Sequence, residues 1–279
     1  MSEVENISLV RVGSINQLCM QVNCARACSH LAGRMTLRGK VSELSRRPKR
    51  VSNLSTIGPV CETSLYLSVV FDSPVQTTSI LFRLVPHIYS ASPAPPPSRP
   101  TTILILLLHQ LVISFPSQQA YLEQIKNLVP NKLERPSAAY LWISALARSL
   151  RTLNFIQFEK LSHPDAFEHL LPLSRPIPSS NIKATTVFRD LPRDAVHALV
   201  SRLRSKARDV AWIVVRNAYR ELSSSDETQM WLGKRLFFDS FGSEATVMRF
   251  DEWVRERCRD GQLQPKEGVQ GRWMVCKAK

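Results

Sequence analysis

The feature that most constrains the fold is a run of apolar residues at helical spacing, opened by Asp190 and Pro192 and ending at Leu222. Val196, Leu199, Val200, Leu203, Ala207, Val210, Trp212, Val214, Val215, Ala218 and Leu222 recur mostly three or four positions apart, with a short drift near Trp212. A helix of that length carries one broad apolar stripe, and the stripe has to be buried against other helices. The core of the chain is therefore expected to be helical.

Helical spacing continues on both sides of this run. Gln118 to Val129 reads as a short helix stopped by Pro130. Pro136 opens a stronger one with Ala139, Trp142, Ile143, Leu146, Leu150, Leu153 and Phe158 on one side. Ser162 to Leu173 reads as another helix, begun by Pro164 and Asp165 and ended by Pro172. Past Ser223 the expected order is a helix over Thr228 to Arg235, a β-like Leu236-Phe237-Phe238, and a helix over Ser243 to Arg259. Strands follow over Gly261 to Gln264 and Gly271 to Cys276, joined by Pro265-Lys266-Glu267-Gly268. Two helices followed by a β-hairpin is the order of a winged helix.

Before residue 119 the texture differs. Prolines, serines and short β-like apolar runs alternate without a sustained helical period, and Ser92 to Pro100 is a polyproline-like run. Three segments are expected: 1–118, largely disordered or aberrant and conceivable as a gene-model artefact; 119–222, a helical-repeat segment; and 223–279, a winged-helix segment. The expected fold class is mainly α, a helical-repeat stack of the PCI or TPR kind followed by a C-terminal winged helix, with a poorly structured N-terminal region.

Composition narrows the function. The 279 residues carry 37 Lys+Arg against 23 Asp+Glu, a formal charge of +14, and 44% are hydrophobic, enough to bury a core in one or two domains. Only 9 glycines stand against 18 prolines, and no GxGxxG or Walker-type loop is present, which argues against a nucleotide-binding α/β enzyme. The acidic start, Met1-Ser2-Glu3-Val4-Glu5, is unlike a secretory signal, so the six cysteines are expected to be reduced thiols. Thr101 to Phe115 is apolar for about 15 residues but carries His109 and Gln110, short of the roughly 20 a membrane span needs. No membrane partner and no small-molecule substrate is expected.

Cys19, Cys24, Cys28 and His30 have ligand-type side chains, yet structural zinc sites pair cysteines across tight turns and no second pair is present. The expectation is no metal and no cofactor. Histidines are scattered, and neither His163 nor His197 sits in a catalytic motif, so no enzyme is expected.

Basic residues carry more information. Arg202, Arg204, Lys206 and Arg208 fall within seven positions and are expected opposite the apolar stripe, as phosphate contacts or as a solvated face. A second set, Arg249, Arg255, Arg259, Lys266 and Arg272, lies on the expected recognition helix and wing, where a winged helix meets nucleic acid. Trp253 and Trp273 are candidate base-stacking residues, although tryptophans at such spacing are more often core. Arg46, Arg47, Lys49 and Arg50 form a candidate nuclear localisation cluster.

Several motifs then fall in a telling order. Ala145-Leu146-Ala147-Arg148-Ser149-Leu150 precedes Leu153-Asn154-Phe155-Ile156-Gln157-Phe158-Glu159-Lys160-Leu161. Ala211-Trp212 and Arg216-Asn217-Ala218-Tyr219-Arg220 come next, followed by Trp231-Leu232 and Leu236-Phe237-Phe238-Asp239-Ser240. In this order residues 119–279 resemble the C-terminal part of the helical-repeat and winged-helix module of the Sac-three/GANP family, relatives of the PCI domains. The resemblance implies a non-enzymatic nuclear scaffold in messenger-RNA export or transcription-coupled RNA processing. It also implies a PCI-domain partner, a small acidic protein partner, and a basic surface for RNA. The family's earlier repeats are not recognisable before residue 119, and Ser174 to Arg189 looks like an insertion. The alternative within this architecture is a PCI-type subunit of a proteasome lid, signalosome or initiation-factor complex.

Overall fold

The computed structural model describes residues 48–89, 98–128, 137–171, 191–238 and 249–277, and these are mainly helical. The chain divides into two units, Met1–Leu65 and Tyr66–Lys279. Of the first, the described part is the beginning of helix α1 (Pro48–Val70), where Thr63 and Ser64 donate hydroxyl bonds back to the carbonyls of Pro59 and Val60, 2.9 Å each.

In the larger unit the end of α1 leads to α2 (Pro74–Arg83), a π-helical turn (Leu84–Ile88) and α3 (Arg99–Ser114). The expectation of short β-like runs over this stretch is corrected. Every residue from Thr101 to His109 is buried, and α3 packs along α7 (Leu191–Ala218), α4 (Gln119–Leu128) and α5 (Ala138–Arg151). A helix surrounded on all sides is apolar on all sides, so it shows no 3.6-residue alternation. Two of its polar side chains are paired: Tyr89 Oη donates to Thr102 Oγ1 at 2.9 Å, and His109 Nε2 lies 2.8 Å from Thr78 Oγ1. Phe115, extended before Pro116, ends the helix. Among the described residues no helix is long and apolar enough to cross a membrane.

The single helix expected from Pro136 through Phe158 is two. α5 is capped by Ser137, whose hydroxyl accepts from the Tyr140 amide, and ends at Arg151, just before Leu153 takes a left-handed φ of 53°. Asn154 then opens α6 (Phe155–Ser162), its side chain accepting from the Gln157 amide at 3.1 Å. Trp142 Nε1 donates to the Leu161 carbonyl at 2.9 Å and ties the two helices together. Of the helix expected over 162–173, Ser162 ends α6, the described residues that follow form a pair of 3-10 turns, Pro164–Ala166 and Glu168–Leu170, and residues 172–173 lie outside the described residues.

α7 ends at Ala218, so Leu222 belongs not to its stripe but to β1 (Glu221–Ser223), a strand absent from the expected order. α8 (Asp226–Leu236) follows, with Ser225 as its cap, then α9 (Phe250–Arg259), β2 (Leu263–Pro265) and β3 (Arg272–Val275). Residues 239–248, where the last helix was expected to begin, lie outside the described residues. The sheet order is β1-β3-β2, antiparallel throughout, with Leu222 opposite Trp273 and Leu263 opposite Val275. Leu236-Phe237-Phe238 is not a strand: Phe237 closes α8 in the left-handed region at φ 57°. α3, before residue 118, packs on α7, and β1, which spans residue 222, pairs with β3.

Candidate nucleic-acid interface

Of the four basic residues expected opposite the stripe of α7, Lys206 is exposed and Arg202 is half-buried, whereas the other two are not on a solvated face. Arg204 and Arg208 are buried, at 2% and 9% exposure, within the apolar stripe itself. Arg204 donates to Ser162 Oγ at 2.7 Å, and its guanidinium lies 5.4 Å from the Phe237 ring centroid. Arg208 donates through Nε to the Leu236 carbonyl at 2.7 Å and through Nη2 to the Phe237 carbonyl at 2.9 Å, with Phe238 5.5 Å away. Burial pulls the Arg208 guanidinium below its ordinary range. On the flanks, Arg202 reaches the Val69 carbonyl and the Asp72 carboxylate, and Lys206 Nζ reaches the Val112 carbonyl.

These contacts have a common physics. Val69 is at the end of α1, Val112 near the end of α3, Ser162 ends α6, and Leu236 ends α8. A helix leaves its last carbonyls without intrahelical donors and carries partial negative charge at that end, so a cation is stabilising there. α7 thus places one cation at each of four helix ends. The expectation that Arg204 and Arg208 face outward as phosphate contacts is corrected on this ground, while Arg202 and Lys206 lie at the edge of the same face, each bonded to a backbone carbonyl.

The second basic set is on the surface. Arg249, Arg255 and Arg259 are exposed, and Arg255 Nε donates to the Asp251 carbonyl at 3.2 Å. Residues 249–260 hold four arginines and four carboxylates, so α9 with its caps has no net charge. Arg257 lies 3.3 Å from Asp209 and 3.6 Å from both Glu256 and Asp260. The hairpin differs: from 261 to 279 Lys266, Arg272, Lys277 and Lys279 stand against Glu267 alone.

Lys266 Nζ is 2.8 Å from Glu221 Oε2 and Arg272 Nη1 is 3.2 Å from Glu221 Oε1. The Lys266 hydrogen bond, ahead of the charges of Lys266 and Arg272, holds the Glu221 carboxyl below the usual carboxylate range. Glu221 could not be placed beside Lys266 and Arg272 from the sequence, because only the pairing of β1 with β3 brings it to the hairpin. At the hairpin tip a concavity of about 460 Å³ is lined by Lys266, Val269, Gln270, Gly271, Arg272 and Trp273, among others.

Of the two candidate stacking residues, Trp253 is core. It is fully buried, 4.8 Å from Trp212 in a perpendicular pair and 5.6 Å from Phe238. Trp273 is half-buried at the concavity, edge-on to Phe250 at 6.1 Å.

His197 lies 3.3 Å from Glu168, which is 2.5 Å from Arg193, so this cluster pins the second 3-10 turn to α7. Burial, opposed by Glu168, lowers the His197 pKa. His163 is exposed, 3.2 Å from Asp165. Cys19, Cys24, Cys28, His30, Arg46 and Arg47 lie outside the described residues, and Lys49 and Arg50 fall in the first turn of α1. No protein-family model matches the chain, and no curated protein matches it.

Proposed function

We propose that this chain is a non-enzymatic nuclear scaffold that binds protein partners and RNA in messenger-RNA export or processing, with residues 191–277 acting as a winged helix. The observation that carries this reading is the order helix, strand, helix, helix, hairpin, folded with β3 between β1 and β2. α7, α8 and α9 then correspond to the three helices of that fold and the β2–β3 hairpin to its wing. The motif order described above supports the Sac-three/GANP resemblance independently of the sheet. Within this reading RNA contact belongs to the hairpin, where basic residues are in excess, and not to α9, where charge cancels.

A second reading draws on that cancellation. A charge-balanced α9 suits a protein partner, as in a PCI-type subunit of a proteasome lid, signalosome or initiation-factor complex. Affinity purification of the tagged protein after ultraviolet crosslinking separates the two. The scaffold reading expects crosslinked RNA together with a PCI-domain protein and a small acidic protein. Recovery of lid, signalosome or initiation-factor subunits without RNA contradicts it.

A further inference from the structure

We infer that Ser223 is a phosphorylation site for an acidophilic serine/threonine kinase, and that its phosphate pairs with Arg272 and so withdraws the hairpin from RNA. The regulatory half rests on the nucleic-acid reading above; the site and its pairing with Arg272 do not.

Sequence and fold both single out this hydroxyl. Ser223-Ser224-Ser225 is followed by Asp226 and Glu227, so carboxylates stand three and four positions after Ser223, the side on which a kinase with a basic cleft reads its substrate. Both carboxylates are exposed. Ser223 ends β1, an edge strand of the sheet, and the chain stays extended through Ser225, the cap of α8. Ser223 Oγ lies 2.9 Å from the hydroxyl of exposed Ser225 and 2.9 Å from Thr228 Oγ1. In the transfer the bond from the γ-phosphorus of ATP to the β,γ-bridging oxygen breaks and a bond to Ser223 Oγ forms. ADP leaves, and the hydroxyl proton passes to the kinase's base.

What the phosphate meets is set by the ladder. Ser223 is directly opposite Arg272, and the Ser224 amide donates to the Gly271 carbonyl at 2.7 Å. Backbone bonds on that neighbouring pair make Ser223 and Arg272 a pair of the kind whose side chains approach most closely. Glu221, two residues earlier and so on the same face, already holds Lys266 at 2.8 Å and Arg272 at 3.2 Å. Lys266 and Arg272 against Glu221 leave this face one positive charge, and a phosphate near −2 turns it to about −1. A guanidinium gives a phosphate two parallel N–H bonds, and the hydroxyls of Ser225 and Thr228 stand beside the same oxygen as further donors. Ser224, one step along, belongs to the opposite face of the strand, so a phosphate there would not share a face with Arg272.

The test treats the full chain with a recombinant acidophilic kinase and Mg·ATP. The product is mapped by mass spectrometry, titrated by phosphorus NMR, and assayed by anisotropy with a labelled single-stranded RNA. Phosphate is expected on Ser223, with slower transfer in the double variant Asp226→Asn/Glu227→Gln. Its second pKa is expected below the usual value of about 6 and to return towards that value in Arg272→Ala. RNA affinity at low salt is expected to fall roughly tenfold, with a salt slope lower by about 0.7 for each cation withdrawn. Ser223→Ala treated in the same way is expected to keep its affinity. An unmodified Ser223, phosphate confined to Ser224 or Ser225, or a second pKa indifferent to Arg272→Ala overturns the inference whether or not RNA binds. Affinity unchanged by phosphate on Ser223 overturns the regulatory half and leaves RNA binding standing. RNA bound by neither form overturns the nucleic-acid reading and, with it, that half alone.

Discussion

At the scale of single residues, the arginines inside the α7 stripe are the informative case. Val200, Arg204 and Arg208 are successive i,i+4 positions, so helical geometry alone places both arginines on the face that holds Val200, Ala207 and Ala211. Charge argues for the opposite face, and here geometry prevails because the guanidinium finds carbonyls at the end of α8. Arg208→Ala leaves two buried carbonyls without that donor, and a loss of about 2 to 3 kcal/mol in urea-monitored stability is expected. Arg259→Ala, exposed at the end of α9, is expected to change stability by no more than about 0.5 kcal/mol in the same titration. Gly271 provides a second residue-level check. With φ at 71° and Ser224 Oγ in the way, Gly271→Ala is expected to lower the melting temperature by the equivalent of at least about 1 kcal/mol.

Elements were legible in the sequence to the degree that their environment is one-sided. α7 could be read because one face is buried and the other is wet, and the hairpin because Pro265 to Gly268 marks its turn. α3 could not, since burial on every side removes the period that signals a helix. β1 is too short, with Leu222 its single buried residue, and its identity depends on a partner about 50 positions away. Phe237 looked like strand material because aromatic residues favour strands, yet it closes a helix, held by Phe158 at 5.1 Å and Phe155 at 6.1 Å. If α3 is the centre of the larger unit, Leu107→Ala should cost about 2 to 5 kcal/mol in the same urea titration.

α3 also gives the fold a dependence on pH. His109, buried there beside Arg202, has its pKa lowered from 6.5 to about 4, chiefly by desolvation. The unfolded chain takes up that proton near pH 6.5 and the folded one only near 4, so between these values the unfolded state binds more protons. Stability contributed by the neutral ring is complete above pH 6.5 and declines as pH falls towards 4, by roughly 3 kcal/mol. Urea midpoints measured from pH 7.5 down to 4.5 should show this decline, and His109→Gln should flatten it.

For the molecule as a whole, a formal charge of +14 invites the reading of a broadly basic RNA binder. The fold divides that charge by role. Four cations on α7 reach the ends of other helices, α9 carries no net charge, and residues 261–279 keep a basic excess. Glu221 sits between the two hairpin cations, so Glu221→Gln is expected to raise RNA affinity several-fold at low salt, measured by anisotropy. The most direct test of this division is the slope of log affinity for single-stranded RNA against log salt, taken for the wild type, for Lys266→Ala/Arg272→Ala and for Arg202→Gln/Lys206→Gln. The slope is expected to drop by roughly 1.4 in the hairpin variant, about 0.7 per lost phosphate contact, and to stay unchanged in the folded fraction of the α7 variant. A slope that drops in the α7 variant and persists in the hairpin variant would contradict the account.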